Sequence, residues 1–307
     1  MLKSIAAGLL LFASFTGMGQ TVMKKGNWEC RIGRDGFIEQ MIFRNKSGND
    51  TIPFFRQKEK AGPCFYARRE NQEVKARWVP SGYNCFVATI DGVECMIKYR
   101  EYRGCPAMEI TLTNRGNVTF QPEKAGLKLG IDTYMDKYPD WFHKYFPTLM
   151  RCEKTHFYGY LQTPEEHTLA LVSEQPVASW SVDYNLGYMD PAPYWFMGHR
   201  IESLNLDLMN TLPLPAHCPQ DLWRLKQGES KTWTIAFIDI KTPGEFEGTI
   251  HKVANVPMIR MNQTAFQPKE TAVFEVLATS PVIEVINDKG EQQPVTIKGK
   301  SGNIKEV

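Results

Sequence analysis

Residues 83–99 read YNCFVATIDGVECMIKY. Apolar and polar side chains alternate on both sides of Asp91-Gly92, a dipeptide that supplies the left-handed backbone of a tight hairpin turn. Residues 83–90 and 93–99 are therefore predicted to be paired antiparallel strands. The same grammar continues outward. Residues 108–113 alternate until Asn114-Arg115-Gly116-Asn117 breaks the pattern. Residues 64–69 and 74–79 make a second pair around Glu70-Asn71-Gln72, and 28–32 with 37–43 a third around Asp35-Gly36. Further strands are predicted at 127–131, 200–209 and 231–240, and a hairpin at 156–162 and 168–173 through Thr163-Pro164-Glu165-Glu166. Short strands punctuated by turns, with no long helical period between them, define an all-β antiparallel sandwich rather than a parallel α/β sheet.

At Lys241-Thr242-Pro243-Gly244 the composition changes. Thr242 can cap a helix with Pro243 at its first position, running over 244–253. After Asn255-Val256-Pro257 a new alternating unit begins, with strands predicted at 258–261, 272–278, 282–286 and 294–297. It resembles the opening of an immunoglobulin-like module, which needs about 100 residues and seven strands. The expected organisation is a signal peptide over 1–19, a sandwich domain over 20–240, a linker with a short helix over 241–256 and a partial immunoglobulin-like β unit over 257–307.

The first twenty residues, MLKSIAAGLLLFASFTGMGQ, carry Lys3, an apolar stretch from Ile5 to Phe15 and the small residues Gly17 and Gly19. That is the grammar of a cleavable secretory signal, too short for a membrane span. A periplasmic or secreted location is the expectation. Lys and Arg number 36 against 34 Asp and Glu, with both signs interspersed and no basic stripe, which argues against nucleic acid as a partner. Seven cysteines include no CxxC spacing. Cys85 and Cys95 flank the Asp91-Gly92 turn and are the one pair whose positions suggest a cross-strand disulfide. His199 and His217-Cys218 stand apart without a second pair at ligand spacing, so no metal or cofactor is expected.

Chemistry concentrates elsewhere. Between Tyr134 and Phe196, 63 positions hold fifteen of the 36 Phe, Tyr and Trp residues. Tyr and Trp can pack one ring face and offer the other, with a polar tip, to a polyhydroxylated ligand. Trp141, Tyr145, Trp180, Tyr184, Tyr194 and Trp195 are the candidate ligand-binding rings, with His199 and Arg200 beside them. Arg200 and Arg151 could hold a uronic-acid carboxylate through guanidinium's paired donors. Carboxylates cluster in the same block, and glycoside hydrolysis needs two of them at a set separation. Asp183 and Asp190 are the candidate pair, and His143 a candidate acid–base group. Each has an ordinary structural alternative: Asp190 as a turn residue before proline, Asp183 as a strand-end hydrogen-bonder, His143 as a satisfied structural histidine. The chain contains no GxSxG elbow, HExxH pair, phosphate-binding glycine loop or dinucleotide fingerprint.

Several of these features together resemble a family. The opening Trp28…Asp35-Gly36-Phe37-Ile38 hairpin, the run Met108-Glu109-Ile110-Thr111-Leu112-Thr113-Asn114 and the size of the first domain look like galactose-mutarotase-like supersandwich domains. The segment from Tyr138 to Asn185 is similar to the N-terminal supersandwich of exported Bacteroidetes-type glycoside hydrolases, β-glucuronidase-like members among them. In such proteins the sandwich precedes an (α/α)6 catalytic barrel, and its loops wall the substrate cleft. The resemblance implies a carbohydrate partner, a uronic acid-containing glycan among the options, and a helical catalytic domain as a second partner. It places the catalytic carboxylates in a barrel for which this chain has no helical region.

Three functional expectations follow. The first is an exported carbohydrate-associated sandwich, the non-catalytic part or a truncated relative of a polysaccharide-degrading glycoside hydrolase, whose aromatic loops line a sugar cleft or dock on a barrel. The second is a complete sugar-active enzyme, an aldose epimerase or glycosidase using Asp183, Asp190 or His143. The third is a structural module without a ligand.

Overall fold

The computed structural model describes residues 20–44, 51–54, 62–131, 144–185, 200–261, 265, 267, 273–279, 284–286, 289–293, 299–301 and 304–306. The hairpin predicted around Asp91-Gly92 is present as β8 (Cys85–Ile90) and β9 (Val93–Tyr102), with Ile90 opposite Val93. Asp91 and Gly92 both take positive φ, 51° and 76°, as a two-residue turn matched to strand twist requires. A second turn of this kind at Arg103-Gly104 leads into β10 (Cys105–Asn114). On the far side of β10 lie β17 (Ser230–Ile240), β14 (Thr168–Ser173), β13 (Phe157–Gln162) and β12 (Phe146–Cys152). With β7 (Val79–Gly82) beyond β8, these strands form an eight-stranded antiparallel sheet whose two edges are β12 and β7.

A five-stranded sheet faces it, ordered β15 (Ser179–Asn185), β16 (Arg200–Asn210), β11 (Lys124–Lys128), β5 (Cys64–Arg69) and β6 (Gln72–Ala76). Alternation fills the space between. Ile97, Ile110, Leu112, Leu171 and Ile235 from the large sheet share one fully buried cluster with Phe65, Leu127, Leu204, Leu206 and Leu208 from the small one. A third sheet, β1 (Thr21–Lys25), β2 (Trp28–Ile32), β3 (Ile38–Arg44) and β4 (Thr51–Phe54), adds Trp28, Ile32, Ile38 and Met41 to the same core. The Trp28 indole N–H donates to the Gly104 carbonyl at 2.7 Å, tying this sheet to the β9–β10 turn.

The large sheet is covered on its outer face too. Ala107, Ala170, Val172, Ala236, Ile238 and Ile240 pack against Phe246, Ile250 and Ala254 of helix α1 (Phe246–Ala254). This double burial explains why β14 reads TLALVS with every position buried. The helix begins later than the sequence suggests. Pro243 opens a short 3-10 turn, Pro243–Glu245, and Thr242 makes no side-chain capping bond. The stretch 241–256, expected to be a linker, is thus held to the sandwich by its apolar side. Beyond it, β18 (Met258–Met261), β19 (Phe274–Leu277), β23 (Ile304–Glu306) and β22 (Gly299–Ser301) form a small sheet, and β20 (Val285–Ile286) pairs with β21 (Gln292–Gln293). The strand expected at 294–297 lies outside the described residues. No described helix is long and apolar enough to cross a membrane.

The Cys85–Cys95 bridge is not formed, and all seven cysteines are free thiols. Register gives the reason: Cys85 sits opposite Lys98 and Cys95 opposite Ala88. Positions 85 and 88 are an odd number apart, so the two thiols point to opposite faces of the sheet.

Candidate functional site

Two neighbouring features on the five-stranded sheet bring polar side chains together. On β16 the leucines point into the core, so Ser203, Asn205 and Asp207 point the other way. Asp207 has no solvent exposure, yet its carboxylate accepts from the Tyr66 hydroxyl, from Ser179 Oγ at 2.8 Å and from Ser181 Oγ at 3.1 Å. Lys124 Nζ lies 3.2 Å away. A buried carboxylate needs such company, because an unpaired one is costly. Burial, and then the neighbouring Asp207, push the Tyr66 phenol pKa far up, so the hydroxyl remains a donor.

Toward the other end of the same face, Lys128 is nearly buried and bridges Asp183 and Glu73, the latter at 2.8 Å. Asn205 Nδ2 donates to the second Asp183 oxygen at 2.9 Å. Burial by itself would raise the Asp183 carboxyl, but hydrogen bonds from Lys128 and Asn205 outweigh it and hold the pKa below its ordinary value. A general acid needs the opposite shift. Asp183 is therefore not poised as a general acid, and in this structure it pairs with Lys128 and Asn205.

An open groove lies at the sandwich edge. The edge strands β12 and β15 belong to different sheets and approach one another, and the excursion after β16 folds over the gap between them. The groove measures about 350 Å³ and has a floor of Met150, Cys152 and Cys218. Leu212, Pro213, Leu214 and Pro215 form one wall, and Trp180 borders the opening. Lys124, Ser179, Asn210 and His217 supply polar groups around it. Trp180 pairs with Leu206 and shares its inward-facing parity. On an edge strand that parity leaves the indole 41% exposed beside the groove instead of sealed within the core. Asn210 Nδ2 donates to Ser179 Oγ at 2.7 Å, so the groove rim and the Asp207 cluster form one connected network. Burial pushes the Cys152 and Cys218 thiols up, which makes neither a ready nucleophile. An aromatic face beside several donors and acceptors can hold a polyhydroxylated ring.

The sequence candidates distribute unevenly. Trp180 stands at the groove. Tyr145, expected on a ligand-binding face, is only 5% exposed and belongs to the main core, so its ring serves packing. Tyr184 and Arg200 take strand positions opposite Ile201 and Asn185 respectively, but their side chains are not among those described. Trp141, His143, Asp190, Tyr194, Trp195 and His199 lie outside the described residues. Part of the aromatic block holds the helix instead: the Tyr160 and Phe246 ring centroids are 4.9 Å apart at 69°, and Tyr158 meets Phe246 at 6.2 Å. Lys124 and Asn210 were not legible as site residues, since a strand-end lysine and asparagine carry no spacing signal. His217 was visible only as an isolated residue beside a cysteine.

Comparison with known proteins adds the fold's context. No protein-family model and no curated protein matches the chain. Among solved structures, a Bacteroides polysaccharide lyase superposes on 92% of this chain with a TM-score of 0.56 and 16% sequence identity. The match occupies 42% of that protein, so this chain spans less than half the lyase's length. At this identity the likeness establishes a shared fold: an all-β sandwich architecture also found within a larger polysaccharide-degrading enzyme.

Proposed function

We propose that the chain is an exported, carbohydrate-binding β-sandwich protein that holds a glycan against Trp180 in the groove between β12 and β15. The observation that carries this reading is the pairing of an exposed indole with Lys124, Ser179, Asn210 and His217 around one apolar-floored groove. The fold shared with a polysaccharide lyase and the signal-like segment at residues 1–19 support it. The galactose-mutarotase-like supersandwich of Bacteroidetes-type glycoside hydrolases remains the finer family reading, with a helical barrel as partner. The reading is of a binding role: the described groove lining holds no carboxylate pair of the kind glycoside hydrolysis uses, and Asp207 beneath it is fully engaged. Affinity-gel retardation against a panel of polysaccharides, with wild type and Trp180→Ala side by side, tests the reading. Retardation abolished by the substitution supports it. Failure of wild type to bind any glycan leaves the docking role and ends the binding one.

A further inference from the structure

The end of β12 divides space. Cys152 faces the Trp180 groove, while its neighbours Arg151 and Glu153 point to the opposite side of the strand, as alternation demands. There they border a second, larger groove of about 590 Å³, together with Lys154 and Tyr158. His217 lines both grooves, so the two meet around the edge of the eight-stranded sheet. An edge strand also leaves one side of its backbone without ladder partners, which suits a hydroxyl-rich ligand crossing it.

The second groove has a different chemistry. Ile259 and Met261 stand on one face of β18 at alternate positions and are 59% and 44% exposed, while Met258 between helix and sheet is buried. Arg151 bonds Glu153 at 2.9 Å, and Lys154 meets no carboxylate among the described residues. Two cations against one carboxylate leave a single positive charge beside an apolar platform. The His156 ring, stacked on Tyr158 at 5.6 Å and 13°, adds a flat wall.

We propose that the glycan site continues past His217 into this second groove, where Ile259 and Met261 support a sugar ring and Lys154, with Arg151, binds an acidic substituent on it. The ligand class is an oligosaccharide bearing carboxylate or sulfate groups and long enough to wrap the sheet edge. The inference rests on the reading of the Trp180 groove as a carbohydrate site.

Calorimetric titration of the purified protein tests it with three kinds of oligosaccharide of matched length: neutral, uronate-containing and sulfated. A short neutral oligosaccharide serves as the probe of the first groove alone. The substituted side chains are exposed, and thermal melts check that each variant is folded. Lys154→Glu is expected to weaken the acidic oligosaccharides by about tenfold while leaving the short neutral probe unchanged. Ile259→Ser with Met261→Ser is expected to weaken long oligosaccharides only. Uronate and sulfate arms then identify which anion is preferred. If both second-groove variants bind every long and acidic oligosaccharide as wild type does, while Trp180→Ala loses them all, the site stops at His217 and the inference is overturned. Indifference to length and charge likewise leaves the second groove to some other partner, such as a protein. A wild type that binds none of the probes overturns the Trp180 reading itself, and this inference with it.

Discussion

Tyr66 and Asp207 lie 141 positions apart in the chain and meet on the outward face of the five-stranded sheet, where the phenol hydroxyl donates to a carboxylate that solvent does not reach. Ser179, Ser181 and Lys124 complete the shell around that carboxylate, and Ser179 carries the connection to Asn210 at the groove rim. Stability and site geometry are therefore coupled through one residue. Asp207→Ala leaves three hydroxyls and the partly exposed Lys124 without their acceptor, and stripping buried donors of a partner in this way costs about 1–3 kcal/mol. Urea unfolding monitored by circular dichroism is expected to show a loss of that size. A variant as stable as wild type would mean that the cluster is not the anchor described.

A second prediction concerns pH. Burial lowers the His156 pKa below its ordinary 6.5, with Glu153 opposing, so the unfolded chain binds the proton more readily than the folded one. Its contribution to stability is whole above pH 6.5 and is lost as pH falls through the folded value. Asp183, held below its ordinary 3.8, adds a second loss that begins only under that pH. Denaturant midpoints measured from pH 7.5 downward should decline first below 6.5 and again below 3.8. His156→Gln should remove the first decline and keep the second. A wild-type midpoint that stays flat between pH 6.5 and 4 would contradict the neutral, buried imidazole.

Gly126 offers a test of the small sheet. Between Ala125 and Leu127 the register with β16 shifts by one residue, a bulge on β16 opposite this glycine. A Cβ at Gly126 would fall 1.9 Å from the Leu206 carbonyl oxygen and 2.7 Å from the Leu208 nitrogen. Both obstacles are backbone, so neither can rotate aside. Gly126→Ala should destabilise by at least the upper end of the roughly 1–3 kcal/mol seen for overpacking. The same substitution at Gly228 meets nothing within 4 Å, but its φ of 75° keeps it strained, so Gly248, unobstructed inside α1, is the better control. Thermal melts of the two variants should separate them clearly.

The cysteines give a fourth. Cys30 and Cys95 are buried, and burial pushes both thiols far up, away from the reactive thiolate. Alkylation of the native protein should spare both. Alkylation in denaturant without reductant should label all seven positions, since every cysteine is a free thiol. A mass spectrum showing fewer than seven adducts would reveal a disulfide and contradict the described geometry.

Much of the β architecture was legible because its signals are local. Cys64–Arg69, Thr168–Ser173 and Met258–Met261 have the limits that alternation predicted. Glu70-Asn71 forms a tighter turn than expected, both residues taking positive φ, which starts β6 two residues earlier. The two strands that frame the groove were hidden. In β12, Pro147 and the register shift between Pro147 and Leu149 interrupt the period. In β15, a shift between Asp183 and Tyr184 does the same, and both strands sit inside the aromatic block, whose density masked them. Ring composition made Trp180 a candidate but could not separate it, exposed beside the groove, from the buried Tyr145, because exposure depends on which strand ends up at an edge. Long-range register decides that, and no window of sequence contains it.

In the proposed function, the exposed Trp180 ring and the polar rim of the groove together hold a glycan. Its most direct test is calorimetric titration of wild type and Trp180→Ala with the oligosaccharide that retards the wild type most strongly in affinity gels. A glycan held on the Trp180 ring requires saturable binding by wild type, at least about tenfold weaker in a variant whose melting temperature is unchanged. Equal affinity in the two proteins would contradict it.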